Sequence, residues 1–173
     1  MTIDESTGLI HWFSDSPGDF EVVVSASNAL GEDAQNFVLR VRDIKTLDDG
    51  AVGTSSTGDW FPSGGLNPYG SQSLYNREAG GGTYTFEAPL ADTAEVYLWW
   101  TVTSSRCDNV RVEVYDGATL IDDTVRINQQ LNGGQWNLIG TYTFSGTAKV
   151  TIVSQSEACS TCADAVRFVF YLL

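Results

Sequence analysis

Apolar and polar residues alternate along most of this chain, and nowhere do apolar residues recur at helical spacing. Val110, Val112 and Val114 fall on one side of a run toward Leu120, with Arg111, Glu113 and Tyr115 on the other, as in a half-buried strand. Ala148 to Ser154 alternates in the same way. Near the start, Thr2 to Trp12 reads as strand, turn on Asp4 to Gly8, and strand. Asp19 to Asn28 follows a Pro17-Gly18 turn, Ala29 to Asp33 makes a hairpin loop, and Gln35 to Val41 returns with Phe37, Leu39 and Val41 on one face. Ala94 to Val102 is apolar on both sides, which places it inside a sheet and not at an edge. Its Trp99 and Trp100, like Trp136, are expected in the core. Asn128 to Gly134 is a permissive loop that feeds a strand from Trp136 to Phe144. Thr83 to Ala88 is a strand behind the run Gly80-Gly81-Gly82, Pro89 to Thr93 a turn, and Ala163 to Tyr171 the last strand.

These elements predict an all-β chain in two units, residues 1–43 and 44–173, joined near Asp43 to Asp49. The second holds about eight strands, the content of a two-sheet jelly roll. Only 18% of the 173 residues are charged, but acid dominates: 22 Asp and Glu against 9 Lys and Arg, a net charge of -13. Such a field opposes a polyphosphate backbone and an anionic membrane surface, so nucleic acid is excluded as a partner. No stretch reaches the ~18 apolar residues of a membrane span. The first residues carry no basic, apolar export signal, so a signal for secretion is expected outside this sequence.

Cys107, Cys159 and Cys162 with the single His11 make a poor zinc set. One structural disulfide is expected, from Cys107 to either Cys159 or Cys162, in an oxidising compartment. His11 has no neighbours that suggest a nucleophile and base, and Asp48-Asp49 and Asp122-Asp123 read as acidic turns. The sequence therefore predicts no enzyme.

Two resemblances sharpen the picture. TIDESTGLIHW and GDFEVVVSASNALGEDAQNFVLRV resemble the carboxyl half of the immunoglobulin-like, cadherin-like repeats of bacterial surface proteins, which implies an incomplete Ig-like β-sandwich over 1–43. GDW, NPYGSQSLYN, EVYLWWT, NQQLNGGQWNLIGTYTF and CADAVRFVF, in this order over most of 46–170, resemble the golvesin and xanthan-lyase carboxyl-terminal domain. That resemblance implies a galactose-binding-like jelly-roll β-sandwich appended to secreted bacterial proteins and engaged in polysaccharide binding or attachment. It also implies one structural calcium ion between first and last strands, for which Asp48, Asp49 and Asp164 are the candidate ligands.

Sugars are held by aromatic faces against the apolar side of the ring, with amides bonding the hydroxyls. The loop aromatics Trp60, Phe61, Tyr69 and Tyr75, with Asn67, Gln72, Gln129, Gln130 and Asn132, are the candidates for carbohydrate binding. The amides near Asn128 serve equally well to satisfy buried backbone at a sheet corner. The expected function is a non-catalytic extracellular or cell-surface module that binds polysaccharide or cell-surface glycan. Two alternatives stand beside it: a fibre subunit that self-associates through strand complementation of the incomplete first unit, and the accessory tail of a secreted hydrolase.

Overall fold

The computed structural model describes residues 1–4, 6–14, 16–77, 82–155 and 158–170, and every regular element among them is a strand. Gly80, Gly81 and Tyr171 to Leu173, to which sequence patterns were assigned above, lie outside the described residues. The chain divides into two compact units, Met1–Asp43 and Ile44–Phe170.

The first unit contains β1 (Thr2–Ile3), β2 (Ile10–His11), β3 (Gly18–Asn28) and β4 (Gly31–Val41). The Asp4 carboxylate closes the β1–β2 turn by accepting from the Ser6 and Thr7 amides, both at 2.9 Å. β3 and β4 form a long hairpin in continuous register from Gly18↔Val41 to Asn28↔Gly31, so its turn is tighter than the sequence suggests. The strands expected for an incomplete immunoglobulin-like sandwich are present, but as two separate ladders. A two-stranded ribbon has no opposing layer to cover its face. Val22 is accordingly the one buried apolar side chain among the described residues of this unit, and Val23, Phe37, Val38 and Leu39 are exposed. Among the described residues of this unit, no sandwich core is seen.

The second unit opens with β5 (Asp43–Asp48) and continues through β6 (Thr54–Thr57), β7 (Phe61–Pro62), β8 (Leu74–Asn76), β9 (Thr83–Leu90), β10 (Thr93–Trp99), β11 (Val110–Asp116), β12 (Thr119–Asp122), β13 (Arg126–Ile127), β14 (Asn137–Thr143), β15 (Gly146–Val153), β16 (Thr161–Ala163) and β17 (Ala165–Phe170). One sheet has the order β14-β10-β17-β5, a second the order β12-β11-β15-β9-β6 with β13 paired to β11, and a small third sheet the order β16-β8-β7. Alternation decides what fills the space between them. Val110, Val112 and Val114 of β11, Val150 and Ile152 of β15, Phe86 of β9, Val96 and Leu98 of β10, and Val166 and Phe168 of β17 are all 2% exposed or less. β10 lies between β14 and β17, the interior position its two apolar faces predict.

Two details differ from the sequence reading, and a third chooses between the disulfide pairings it left open. Pro89 is not in a turn: it pairs with Thr147, beyond the four residues of β6, where no neighbouring strand needs the N–H it lacks. The expected last strand is broken at Asp164, where the chain leaves the small sheet as β16 and joins the four-stranded sheet as β17. Cys107 pairs with Cys159, and Cys162 is a buried free thiol.

Candidate functional site

The connection from Ser63 to Ser73 organises the surface. It is pinched at its base, where the Ser63 amide donates to the Ser73 carbonyl at 2.7 Å, between β7 and β8. A Cβ on Gly65 would overlap the Thr101 side chain, so only glycine lets the loop lie this close to the sandwich.

Further along, the loop brings Tyr69 against two tryptophans from distant parts of the chain. Ring centroids lie 5.8 Å apart for Tyr69 and Trp99, 5.1 Å for Tyr69 and Trp136, and 5.3 Å for Trp99 and Trp136. Trp99 is on the outer face of β10 because its neighbour Trp100 takes the inner one; successive strand residues face opposite sides. Trp136 is delivered by Gly133-Gly134. The Gly134 amide donates to the Trp100 carbonyl at 2.9 Å, and a Cβ on Gly133 would overlap Val102. The Trp99 indole N–H donates to the Asn67 carbonyl at 2.9 Å. Beneath the cluster, the Arg167 guanidinium lies 4.1 Å from the centre of a Trp136 ring and donates to Thr46 Oγ1 at 3.3 Å. All three rings are half-buried and stand outside the hydrophobic core.

The other predicted sugar contacts are dispersed. Trp60 packs against the core, edge-on to Tyr84, and its N–H donates to the Thr57 carbonyl. Phe61 is exposed, with its ring centroid 5.9 Å from that of Tyr75. Gln129 is fully buried: its amide donates to the Cys162 carbonyl and accepts from the Cys162 N–H, at 2.8 and 2.7 Å. It satisfies backbone at the start of β16, and no polar atom is left for a ligand. Gln130 donates to the Arg106 carbonyl, Asn132 accepts from the Asn137 side chain through its own carbonyl, and Gln72 bonds Asp49. Asn67 and Tyr69 are thus the predicted residues that meet in one cluster. Trp99, Trp136 and Arg167, which complete it, were not among the candidates. For Trp99 the pairing with Trp100 on a two-faced strand was the usable signal.

Asp48, Asp49 and Asp164 form an acidic cradle behind the same loop. Asp164 is fully buried; the Tyr69 amide donates to its Oδ1 at 3.1 Å, while its Oδ2 has no partner among the described residues. Burial first, and then the charges of Asp48 and Asp49, push its pKa up to about 8. Burial and the Asp48 charge push Asp49 up to about 6, and Asp49 Oδ2 is also buried without a partner. Burial raises Asp48 as well. A Cβ on Gly70 would overlap the Asp48 carboxylate, so the loop is shaped around the acid. Among the described residues no three His, Cys, Asp or Glu side chains converge as a ready metal centre. Hard carboxylate oxygens with unmet bonding capacity nonetheless suit calcium in their chemistry.

The second unit is thus an all-β sandwich of two main sheets with an aromatic cluster outside its core. More narrowly, the chain belongs to the golvesin C-terminal domain family, whose model matches residues 45–170. It is 33% identical over 158 residues to a xanthan lyase of Bacillus sp. (strain GL1), covering 83% of this chain and 17% of that protein. The structure of Paenibacillus xanthan lyase superimposes with a TM-score of 0.67 at 27% identity, over 82% of this chain and 14% of the other. The chain thus spans about a sixth of the length of the lyase relative. An exo-β-1,3-galactanase from Phanerochaete chrysosporium, solved with β-1,3-galactotriose, shares the fold at a TM-score of 0.51 and 18% identity, over 84% of this chain and 32% of the other.

Proposed function

We propose that the second unit is a non-catalytic polysaccharide-binding module whose contact surface is the cluster of Tyr69, Trp99 and Trp136, with the amide of Asn67 beside it. The observation that carries this reading is the convergence of three half-exposed rings from three separate segments, outside the core and held from below by Arg167. Rings that served packing alone would close against the interior, as Trp60 and Trp100 do. An apolar patch flanked by backbone and amide groups matches the two-sided character of a pyranose, with its C–H face and its rim of hydroxyls. The Cys107–Cys159 disulfide supports an extracellular or cell-surface setting. The match to a small part of much longer xanthan lyases favours a place as the accessory portion of a secreted carbohydrate-active protein.

Calcium belongs to the same reading. We infer that Asp49 and Asp164, with Asp48 beside them, hold one calcium ion, which would neutralise the cradle and fix the loop that carries Tyr69.

The test is affinity electrophoresis or calorimetry of the full chain against a panel of neutral and acidic polysaccharides. Trp136→Ala and Tyr69→Ala should each weaken binding about tenfold or more, on the order of 1.4 kcal/mol, as for aromatic anchors at the centre of a contact. Trp12→Ala, in the first unit, should leave it unchanged. Affinity unaltered by both cluster substitutions would refute the assignment.

A further inference from the structure

The start of the Ser63 to Ser73 loop also lines an open cavity of about 330 Å³, bounded among others by Ser63, Tyr75, Arg77, Ser105, Arg106 and Ser160. Arg106 is its unusual member. It is 2% exposed, the largest of the fully buried side chains. Its Nε donates to the Thr101 carbonyl at 3.0 Å, Nη1 to Ser160 Oγ at 3.2 Å, and Nη2 to Ser63 Oγ at 2.7 Å and Thr101 Oγ1 at 2.6 Å. Every one of these acceptors is neutral. One Nη1 hydrogen of the guanidinium fork is left over, and among the described residues Arg106 makes no ion pair.

Buried charges in proteins are ordinarily paired, because an isolated cation loses its hydration without recovering it. In a chain with 22 acidic and only 9 basic residues, a buried arginine whose hydrogen bonds among the described residues all run to neutral acceptors, with Arg77 lining the same cavity, is not explained by a general excess of positive charge, and the buried Asp164 carboxyl feels its charge without bonding to it. The remaining Nη1 hydrogen is suited to an anion. We propose that this cavity is a second carbohydrate subsite that takes the carboxylate of an acidic sugar, a uronic acid unit, against Arg106 and Arg77.

The remaining lining agrees with that chemistry. The Ser63 and Ser160 hydroxyls accept from the guanidinium, and the Ser105 hydroxyl lines the same cavity, so polar groups stand where ring hydroxyls would lie. Tyr75 contributes an aromatic side chain, backed by Phe61. The volume lies at the small end of ligand sites, roughly 300–1,000 Å³, and fits one sugar unit better than a chain segment. The net charge of -13 does not oppose this choice, because charges beyond about 8 Å are screened at physiological salt whereas a buried contact is not. Two of the lining hydroxyls are already spent on Arg106, so the anion completes an existing network and does not have to organise one.

The inference is independent of the aromatic cluster, and a monosaccharide probe keeps the two apart. Calorimetric or NMR titration of the full chain with methyl β-D-glucuronide and methyl β-D-glucoside should show the glucuronide binding at least tenfold more tightly, with perturbed signals at Tyr75 and Gly64-Gly65 and none at Trp136. Arg77→Gln should weaken the glucuronide several-fold. Ser105→Glu, which sets a carboxylate at the exposed rim, should weaken it more than tenfold. Neither change touches the bonds of Arg106, so both proteins should fold normally by circular dichroism. Arg106→Gln should abolish the preference for the glucuronide, and if that variant does not fold, the two rim variants decide. Equal affinity for the two glycosides, indifference to Ser105→Glu, or competition by acetate as effective as that by the glucuronide would each overturn the proposal.

Discussion

Removing the disulfide tests how the second unit is held together. Cys107 and Cys159 are 52 residues apart in sequence. In the chain-entropy model a closed loop of that length restrains the unfolded chain by about 14 cal/mol/K, about 4 kcal/mol at 25 °C. Little offsets that figure in the folded state, because the contacts around the bridge are made by backbone. The Cys107 amide donates to the Ser160 carbonyl at 3.1 Å, the Ser160 amide to the Ser105 carbonyl at 2.8 Å, and the Gln129 amide to the Cys107 carbonyl at 3.0 Å. The double variant Cys107→Ala, Cys159→Ala should therefore keep its fold and lose about 4 kcal/mol, a large part of the 5–15 kcal/mol typical of a domain. Equilibrium unfolding in urea, followed by tryptophan fluorescence, suits the measurement, since all tryptophans except Trp12 lie in the second unit. The midpoint should fall while the slope rises, because the unfolded chain without the bridge exposes more surface, and the melting temperature should drop by roughly 10–20 °C. A loss below about 1.5 kcal/mol at unchanged slope would refute the reasoning, because the unfolded chain would then not feel the restraint.

Other outcomes follow from particular side chains. Phe86→Ala empties a fully buried position beside Tyr84 and should cost about 3–5 kcal/mol by the same urea assay. Gly70→Ala drives a methyl group into the Asp48 carboxylate at a left-handed φ of 65°, and should lower stability by about 1–3 kcal/mol in a thermal melt. In the metal-free protein Asp164 and Asp49 keep their protons to about pH 8 and 6, whereas the unfolded chain releases them near pH 4. The folded state binds more protons between those values, so stability is greatest at the acid end and is lost as pH rises through 6 to 8. Melts in EDTA at pH 5 to 8 should show a falling midpoint, and calcium should restore it at pH 8; a flat profile in EDTA would contradict the cradle.

Sequence alone revealed the parts of this fold that obey period two. Val110, Val112 and Val114 announce β11, and a segment apolar on both sides announces the interior position of β10. It could not show the break at Asp164, which sits between two alanines in an otherwise apolar run and is explained only by the change of sheet. Cysteine spacing left two pairings open, and only the tertiary fold sets Cys159 beside Cys107 while burying Cys162. The aromatic cluster draws Tyr69, Trp99 and Trp136 from a loop, a strand and the approach to another strand, and no local pattern joins them. Arg106 was silent for a related reason: in the run Ser104-Ser105-Arg106-Cys107 nothing signals burial, and its acceptors come from residues as remote as Ser63 and Ser160. Amides misled in the opposite direction, since Gln129 has the polarity of a ligand contact and the geometry of a backbone brace.

The pinched loop from Ser63 to Ser73 carries Tyr69, supplies Gly70 and Gln72 to the acidic cradle, and lends Ser63 and Gly65 to the arginine cavity. Its base is the short β7–β8 ladder, closed by the Ser63–Ser73 backbone hydrogen bond, and its side chains contribute little to the central packing. Such a part is exchangeable. Relatives could diversify what they recognise by rewriting this one stretch while the sheets stay as they are, and an engineer could retarget the module by grafting a foreign loop onto the same two posts.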